Sequence, residues 1–110
     1  MNIVGENGSG KSKLARWIAQ RLGWYAEIEA SMLDSHFRFG TLLSSEPATL
    51  IIDWEYPSAN ALDVLKDLLT HKEIEIQAVG LESRIVRTPL IIVCSSEPLA
   101  IESLYVVTLS

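Results

Sequence analysis

The sequence predicts an α/β fold in three layers, with about five mostly parallel strands flanked by helices. Short apolar runs alternate with segments of helical periodicity along nearly all of the 110 residues. Such repeated alternation is typical of a parallel sheet covered by helices. Leu90–Cys94 is a continuous apolar run, as expected for a strand that is buried on both faces of such a sheet.

The first strand and helix are the best-defined pair. Asn2–Val4 is a short apolar run, and apolar residues at helical spacing then predict a helix over Lys11–Leu22 that stops at Gly23. This first strand is shorter than a central strand usually is. We therefore expect residues 1–110 to form a single domain that is truncated at both ends.

The remaining elements follow in chain order. We expect strands at Trp24–Glu29, Thr49–Asp53, Leu90–Cys94 and Leu104–Leu109, and helices at Met32–Leu43 and Ala59–Thr70. Ser58 is the expected cap of the last helix. Glu73–Gln77 alternates strictly, and with a turn at Gly80 and a return strand at Arg84–Arg87 it predicts a β-hairpin inserted before the fourth strand of the sheet.

Composition and charge exclude several classes of protein. The single cysteine rules out a disulfide framework or a cysteine metal site, and it fits a reducing, cytoplasmic compartment. No apolar run approaches the roughly 20 residues that span a bilayer, and no signal peptide is visible, so we expect no membrane partner. The net charge of −5 argues against binding of nucleic acid through the overall field of a monomer.

Residues 5–12 match the pattern G-x-x-x-x-G-K-[ST], the phosphate-binding loop called the P-loop or Walker A motif. Its glycines let the backbone N–H groups face inward around an anion, and the following helix adds its positive N-terminal dipole. Lys11 is expected to reach the β- and γ-phosphates, and the Ser12 hydroxyl to ligate Mg²⁺. The predicted ATP-binding residues are Gly5, Glu6, Asn7, Gly8, Ser9, Gly10, Lys11 and Ser12.

An acidic residue ends the third predicted strand, as in a Walker B motif. Asp53 follows three apolar residues, and it is expected to hold Mg²⁺ beside Ser12. Glu55 lies two residues further on, and in an extended chain the two side chains would point to the same face about 7 Å apart. Glu55 is therefore the predicted general base that activates water.

A polar segment ends the fourth predicted strand. Leu90–Cys94 runs into Ser95-Ser96-Glu97-Pro98, and in P-loop ATPases a polar side chain on the strand beside Walker B orients water against the γ-phosphate. Ser95 or Ser96 is in the position to do so, and Ser96 is the residue that we assign. Serines before a proline are equally typical of a simple turn.

Together these residues resemble the core of an AAA+ ATPase, a subgroup of the P-loop NTPase fold. The leucine-rich helix, the alternating hairpin and the strand ending at Pro98 are similar to the AAA+ branch with a hairpin before sensor 1. Within that branch, Ser95-Ser96-Glu97-Pro98 resembles the Ser-Asn-x-Pro of superfamily 3 helicases from viruses and plasmids. The resemblance implies Mg²⁺-dependent ATP hydrolysis by a DNA helicase or replication protein, with assembly into a homo-oligomeric ring and single-stranded DNA as a partner when assembled.

The sequence also departs from that family. Trp54 follows the Walker B aspartate where AAA+ proteins usually have glutamate, and Ser96 replaces the sensor 1 asparagine. Two alternatives therefore stay open. One is a small-molecule kinase of the shikimate or nucleoside type, and the other is a non-catalytic nucleotide-binding module used in assembly.

Overall fold

The computed structural model describes residues 1–76 and 83–109, apart from the side chains of His36 and Phe37. Seven strands are described in these ranges: β1 (Asn2–Val4), β2 (Tyr25–Glu29), β3 (Thr49–Asp53), β4 (Glu73–Ile76), β5 (Arg84–Arg87), β6 (Leu90–Ser95) and β7 (Val106–Thr108). The helices are α1 (Lys11–Leu22), α2 (His36–Ser44) and α3 (Ala61–Thr70), with a 3₁₀ helix over Ala30–Asp34. Among the described residues, none of the helices combines the length and the hydrophobicity that a membrane-spanning segment needs.

Five of these strands form one parallel sheet in the order β2-β3-β6-β1-β7. The expectation of a mostly parallel five-stranded sheet flanked by helices is therefore confirmed. Strand β6 comes late in the chain but lies between β3 and β1. Its carboxyl end is consequently flanked by the ends of the two strands that lead into the predicted Walker motifs.

The core lies on both faces of this sheet. On one face α1 packs through Ala15 and Ala19 against Ile3 and Ile92. On the other face a larger apolar cluster joins the sheet to the 3₁₀ helix, α2 and α3. Side chains alternate along each strand, so β3 sends Ile51 toward α1 and its two neighbours into the larger cluster. The result is three layers, as the sequence predicts.

The expected second helix is divided into two pieces. Ser35 has an extended backbone, with φ −96° and ψ 98°, and separates the 3₁₀ helix from α2. Its hydroxyl accepts a hydrogen bond from the Arg38 N–H at 3.4 Å. A serine in this role is a typical N-cap, and it starts a new helix inside the segment predicted as one helix over Met32–Leu43.

The predicted cap of α3 is wrong. The helix begins at Ala61, two residues later than predicted, and Asn60 is its N-cap residue without a capping side-chain bond. Ser58 contributes its carbonyl, which accepts from the Ala61 N–H at 3.2 Å. The Ser58 hydroxyl is buried and has no hydrogen-bond partner among the described residues.

The predicted hairpin is present as the antiparallel pair β4 and β5. Glu73 pairs with Arg87 and Glu75 with Ile85. The pair forms a separate two-stranded sheet, and Arg84 donates a hydrogen bond to the Ser44 carbonyl at the end of α2. The predicted end of the first strand at Gln77 and the turn at Gly80 lie outside the described residues.

Asn2 of β1 is bonded to the neighbouring strand β6 through its buried side chain. It is 0% exposed. Its amide nitrogen donates to the Val93 carbonyl at 3.0 Å and to the Ser95 hydroxyl at 2.9 Å, and its amide oxygen accepts from the Leu99 N–H at 3.0 Å. Because the amide nitrogen and the amide oxygen are both hydrogen-bonded, this buried side chain ties the segment after β6 back to β1.

We expect Asn2→Ala to lower the free energy of unfolding by about 2–3 kcal/mol, because the Leu99 N–H and the Ser95 hydroxyl lose buried partners. The exposed Asn60→Ala is the matched control and should change it by less than about 0.5 kcal/mol. Urea denaturation of the two variants checks this. Equal effects of the two substitutions would show that the Asn2 network contributes little.

Candidate functional site

A cleft of about 610 Å³ lies at the carboxyl ends of the sheet strands. Its lining brings together residues from the loop after β1, the end of β3 and the end of β6: Glu6, Asn7, Gly8, Gly10, Lys11, Ser12, Lys13, Asp53, Trp54, Glu55, Cys94, Ser95 and Ser96. Of the residues predicted from sequence, only Gly5 and Ser9 are outside this lining. Ligands of open parallel sheets bind at this edge.

The loop over residues 5–12 has the backbone that its glycines allow. Gly8 and Gly10 have φ of 85° and 92°, in the left-handed region that favours glycine. A Cβ added at either would meet nothing within 4 Å, so the loop is open on that side. The N–H groups of Gly8, Gly10, Lys11 and Ser12 have no acceptor in the described part of the chain. Unpaired donors at a helix start form an anion site.

Gly5 has a different reason to be glycine. A Cβ there would collide with the Ser9 hydroxyl and lie 3.3 Å from Cβ of Leu109. The Ser9 N–H in turn donates to the Glu6 carbonyl at 3.1 Å, which closes the loop on itself. Gly5 and Ser9 therefore shape the loop from beneath and do not face the cleft.

Lys11 is folded over this loop. Its Nζ donates to the Gly5 carbonyl at 2.7 Å, and the side chain is half-buried in the cleft. The ammonium group is thus held close to the unpaired N–H groups of the loop. The combination concentrates positive charge at one end of the cleft.

Two consecutive carbonyls of β6 fix the other walls of the cleft. The Cys94 carbonyl accepts from the Trp54 N–H at 2.8 Å, and the Ser95 carbonyl accepts from the Gly5 N–H at 3.1 Å. Neighbouring carbonyls of a strand point to opposite sides, so one bonds toward β3 and the other toward β1. The loop after β3 and the loop after β1 are therefore both hydrogen-bonded, at their first residue, to the same short piece of β6.

Asp53 and Ser12 border the same space on the α1 face of the sheet. Asp53 is the exposed last residue of β3, and Ser12 lies exposed in the first turn of α1. Both line the large cleft and also a smaller cavity of about 80 Å³ under α1. No group of three or more His, Cys, Asp or Glu side chains suited to a metal is found in the described ranges. One carboxylate and one hydroxyl suit Mg²⁺ that takes its other ligands from phosphate and water.

Glu55 lines the cleft, but the chain at this residue is not extended as predicted. Strand β3 ends at Asp53, and the chain then bends, with Tyr56 at a φ of 49°. The premise of a continuing strand is therefore wrong, although the Glu55 side chain remains exposed in the same cleft. Trp54 is half-buried and packs on the larger apolar cluster.

The two serines after β6 have different surroundings. The Ser95 hydroxyl is buried; it accepts from Asn2 and donates to the Glu97 carbonyl at 2.7 Å. Ser96 is exposed and lines the cleft. Ser96 is therefore the serine with a hydroxyl available to a ligand.

Cys94 is a cleft residue that sequence reasoning did not assign. Its thiol is 3% exposed and donates weakly to the Lys11 carbonyl at 3.9 Å. Burial, followed by the nearby Asp53 carboxylate, raises the pKa of the thiol to about 11, while Lys11 lowers it. The thiol is thus neutral at physiological pH and acts as a small apolar group under the loop.

No protein-family model matches the chain, and no curated protein sequence matches it.

The raised pKa of Cys94 predicts a loss of stability at high pH. The folded state keeps the thiol protonated from its ordinary pKa of 9.0 up to about 11, so the folded state binds more protons in that interval. The stabilisation is fully present below pH 9 and is lost as the pH rises through 11, by up to about 2 kcal/mol.

The comparison with Cys94→Ala isolates this effect from lysine and tyrosine titration. Unfolding free energies measured at pH 8, 9, 10 and 11 should fall more steeply for the wild type than for the variant. Parallel pH profiles would show that the thiol pKa is not raised by folding.

Proposed function

We propose that the chain is an AAA+-like P-loop domain that binds ATP and hydrolyses it with Mg²⁺. The observation that carries the proposal is the loop at residues 5–12, where unpaired N–H groups and the Lys11 ammonium converge in the cleft that also holds Ser12 and Asp53. This arrangement suits a polyphosphate with a hard cation.

The strand order supports the AAA+ part of the proposal. The resemblance requires a polar strand end beside the Walker B strand, and β6 lies directly beside β3. It also lies beside β1, so Ser96 leaves the sheet between the phosphate loop and Asp53. A hydroxyl in that position can interact with a group bound between the two motifs.

Each residue then has a distinct task. The loop N–H groups and Lys11 bind the negative charge of the phosphates, and Ser12 and Asp53 hold the cation. A bound Mg²⁺ would neutralise charge on the phosphate oxygens. Glu55 accepts a proton from the attacking water, and Ser96 orients that water by hydrogen bonding.

The bend after Asp53 favours one alternative, a nucleotide-binding module without turnover. Glu55 is held by no described side chain or backbone group, and Trp54 occupies the position next to the aspartate. A kinase of the shikimate or nucleoside type has less support, because such kinases use arginines near the phosphates and no arginine among the described residues lines the cleft.

The hairpin supports the further proposal that the domain acts in a DNA helicase or replication protein. The pair β4 and β5 directly precedes β6, in the order that the resemblance implies. Stimulation of ATP turnover by single-stranded DNA, measured at protein concentrations that allow ring assembly, tests this part. Turnover that is insensitive to DNA at every concentration would contradict it.

Lys11→Ala should weaken ATP binding by about 100-fold, because a charge-assisted contact to phosphate is lost. Anisotropy of a fluorescent ATP analogue measures the affinity. Lys66→Ala on the exposed side of α3 removes the same charge from another face and should leave the affinity unchanged. Equal affinities of all three proteins would refute the phosphate-loop assignment.

Glu55→Gln should lower the turnover number by about 100- to 10,000-fold while ATP affinity changes little, because the variant keeps the shape but loses the proton acceptor. Phosphate release and analogue binding are measured together. Glu102→Gln, at another exposed glutamate, is the control. Wild-type binding without any turnover would instead support the non-catalytic module.

A further inference from the structure

The smaller cavity under α1 holds three groups that the proposed function does not use. It has a volume of about 80 Å³. Besides the proposed cation ligands Ser12 and Asp53, it is lined by Arg16, Glu27 and Cys94, together with two apolar residues of β2 and β3. A second carboxylate therefore borders the space in which the cation is expected.

The sheet register explains why Glu27 lies there. Glu27 pairs with Ile51, and Ile51 precedes Asp53 by two residues on β3. Side chains two residues apart on a strand share a face, so Glu27 and Asp53 are diagonal neighbours on the α1 side. Ser12 and Arg16 are separated by four residues and occupy the same side of α1 on successive turns.

Arg16 engages both oxygens of the Glu27 carboxylate. Its Nε donates to Oε1, and its Nη2 donates to Oε2 at 3.2 Å. This is the one side-chain ion pair found in the described ranges. The two side chains are 47% and 38% exposed, so the pair contributes little to stability. Its main consequence is geometric, because a two-pronged contact fixes the direction of the carboxylate.

We propose that Arg16 is a positioning residue that keeps Glu27 out of the cation site, so that the site binds a divalent cation only together with nucleotide. This inference rests on the proposed role of Ser12 and Asp53. With both Glu27 oxygens occupied, a cation meets one carboxylate and one hydroxyl. With Glu27 released, the cavity would offer two carboxylates and the Ser12 hydroxyl, enough oxygen donors to hold a cation without phosphate.

The test measures Mn²⁺ binding in the absence of nucleotide, by electron paramagnetic resonance of the free ion. Arg16→Gln should raise Mn²⁺ affinity by about 10- to 100-fold over the wild type. Arg16→Gln/Glu27→Gln and Arg16→Gln/Asp53→Asn should each abolish the gain. Arg21→Gln is the matched control, because Arg21 lies on the same helix against the Trp17 ring, and it should behave as the wild type.

Two outcomes would overturn the inference. They are a Mn²⁺ affinity of Arg16→Gln equal to that of the wild type, and a gain that survives in either double variant. Circular dichroism checks that each variant is folded. If Arg16→Gln fails to fold, Arg16→Lys replaces it; this variant keeps the charge but loses the bidentate contact, and it should give a smaller gain in Mn²⁺ affinity. The Mn²⁺ measurement contains no nucleotide, so its outcome does not depend on ATP binding. Failure of the wild type to bind ATP in a separate assay would refute the proposed function.

Discussion

The whole cleft depends on two adjacent carbonyl groups at the end of β6. One accepts from Gly5, the first residue of the proposed phosphate loop, and the other from Trp54, the residue after Asp53. Because the groups belong to consecutive residues of a hydrogen-bonded strand, the extended backbone of that strand fixes their separation. The distance between loop and acid therefore does not rely on flexible side chains. The buried Asn2 adds to this by tying the segment after β6 back to β1.

The parts of the cleft differ in how firmly they are held. The loop is closed by its own backbone bonds, and Lys11 is bound to the Gly5 carbonyl. Ser96 and Glu55, by contrast, are exposed side chains without a partner among the described residues. The groups that we propose to bind phosphate are thus arranged before any ligand arrives, which lowers the ordering cost of binding. The groups that we propose for hydrolysis would have to be ordered by the ligand itself.

Much of the fold was predictable because local sequence patterns determine where several helices and strands begin and end. Lys11–Leu22 and Thr49–Asp53 have the predicted bounds, since a glycine-bounded helix and an apolar strand ending in a charge are strong local signals. The break at Ser35 was not predicted, because a serine inside a helical pattern can either cap a helix or continue it.

Features that depend on the order of strands could not be predicted from local pattern. The insertion of β6 between β1 and β3 joins segments about 90 residues apart, and no spacing in the sequence encodes it. The same holds for the choice between the two serines. Only the path of the chain after β6 places Ser95 against Asn2 and leaves Ser96 in the cleft. Arg16 and Glu27 are likewise ordinary surface residues until the register places them together.

The way α1 rests on the sheet explains why a weak surface ion pair can matter. The helix contacts the sheet through the fully buried Ala15 and Ala19, and two larger apolar side chains of the helix pack beside them. These contacts fix which face of the helix meets the sheet. At the edge of that face, Arg16 forms a bidentate contact with Glu27 of β2. Because Ser12 lies one turn away on the same side, the rotation that satisfies this contact also sets which way the Ser12 hydroxyl faces, and hence its approach to Asp53.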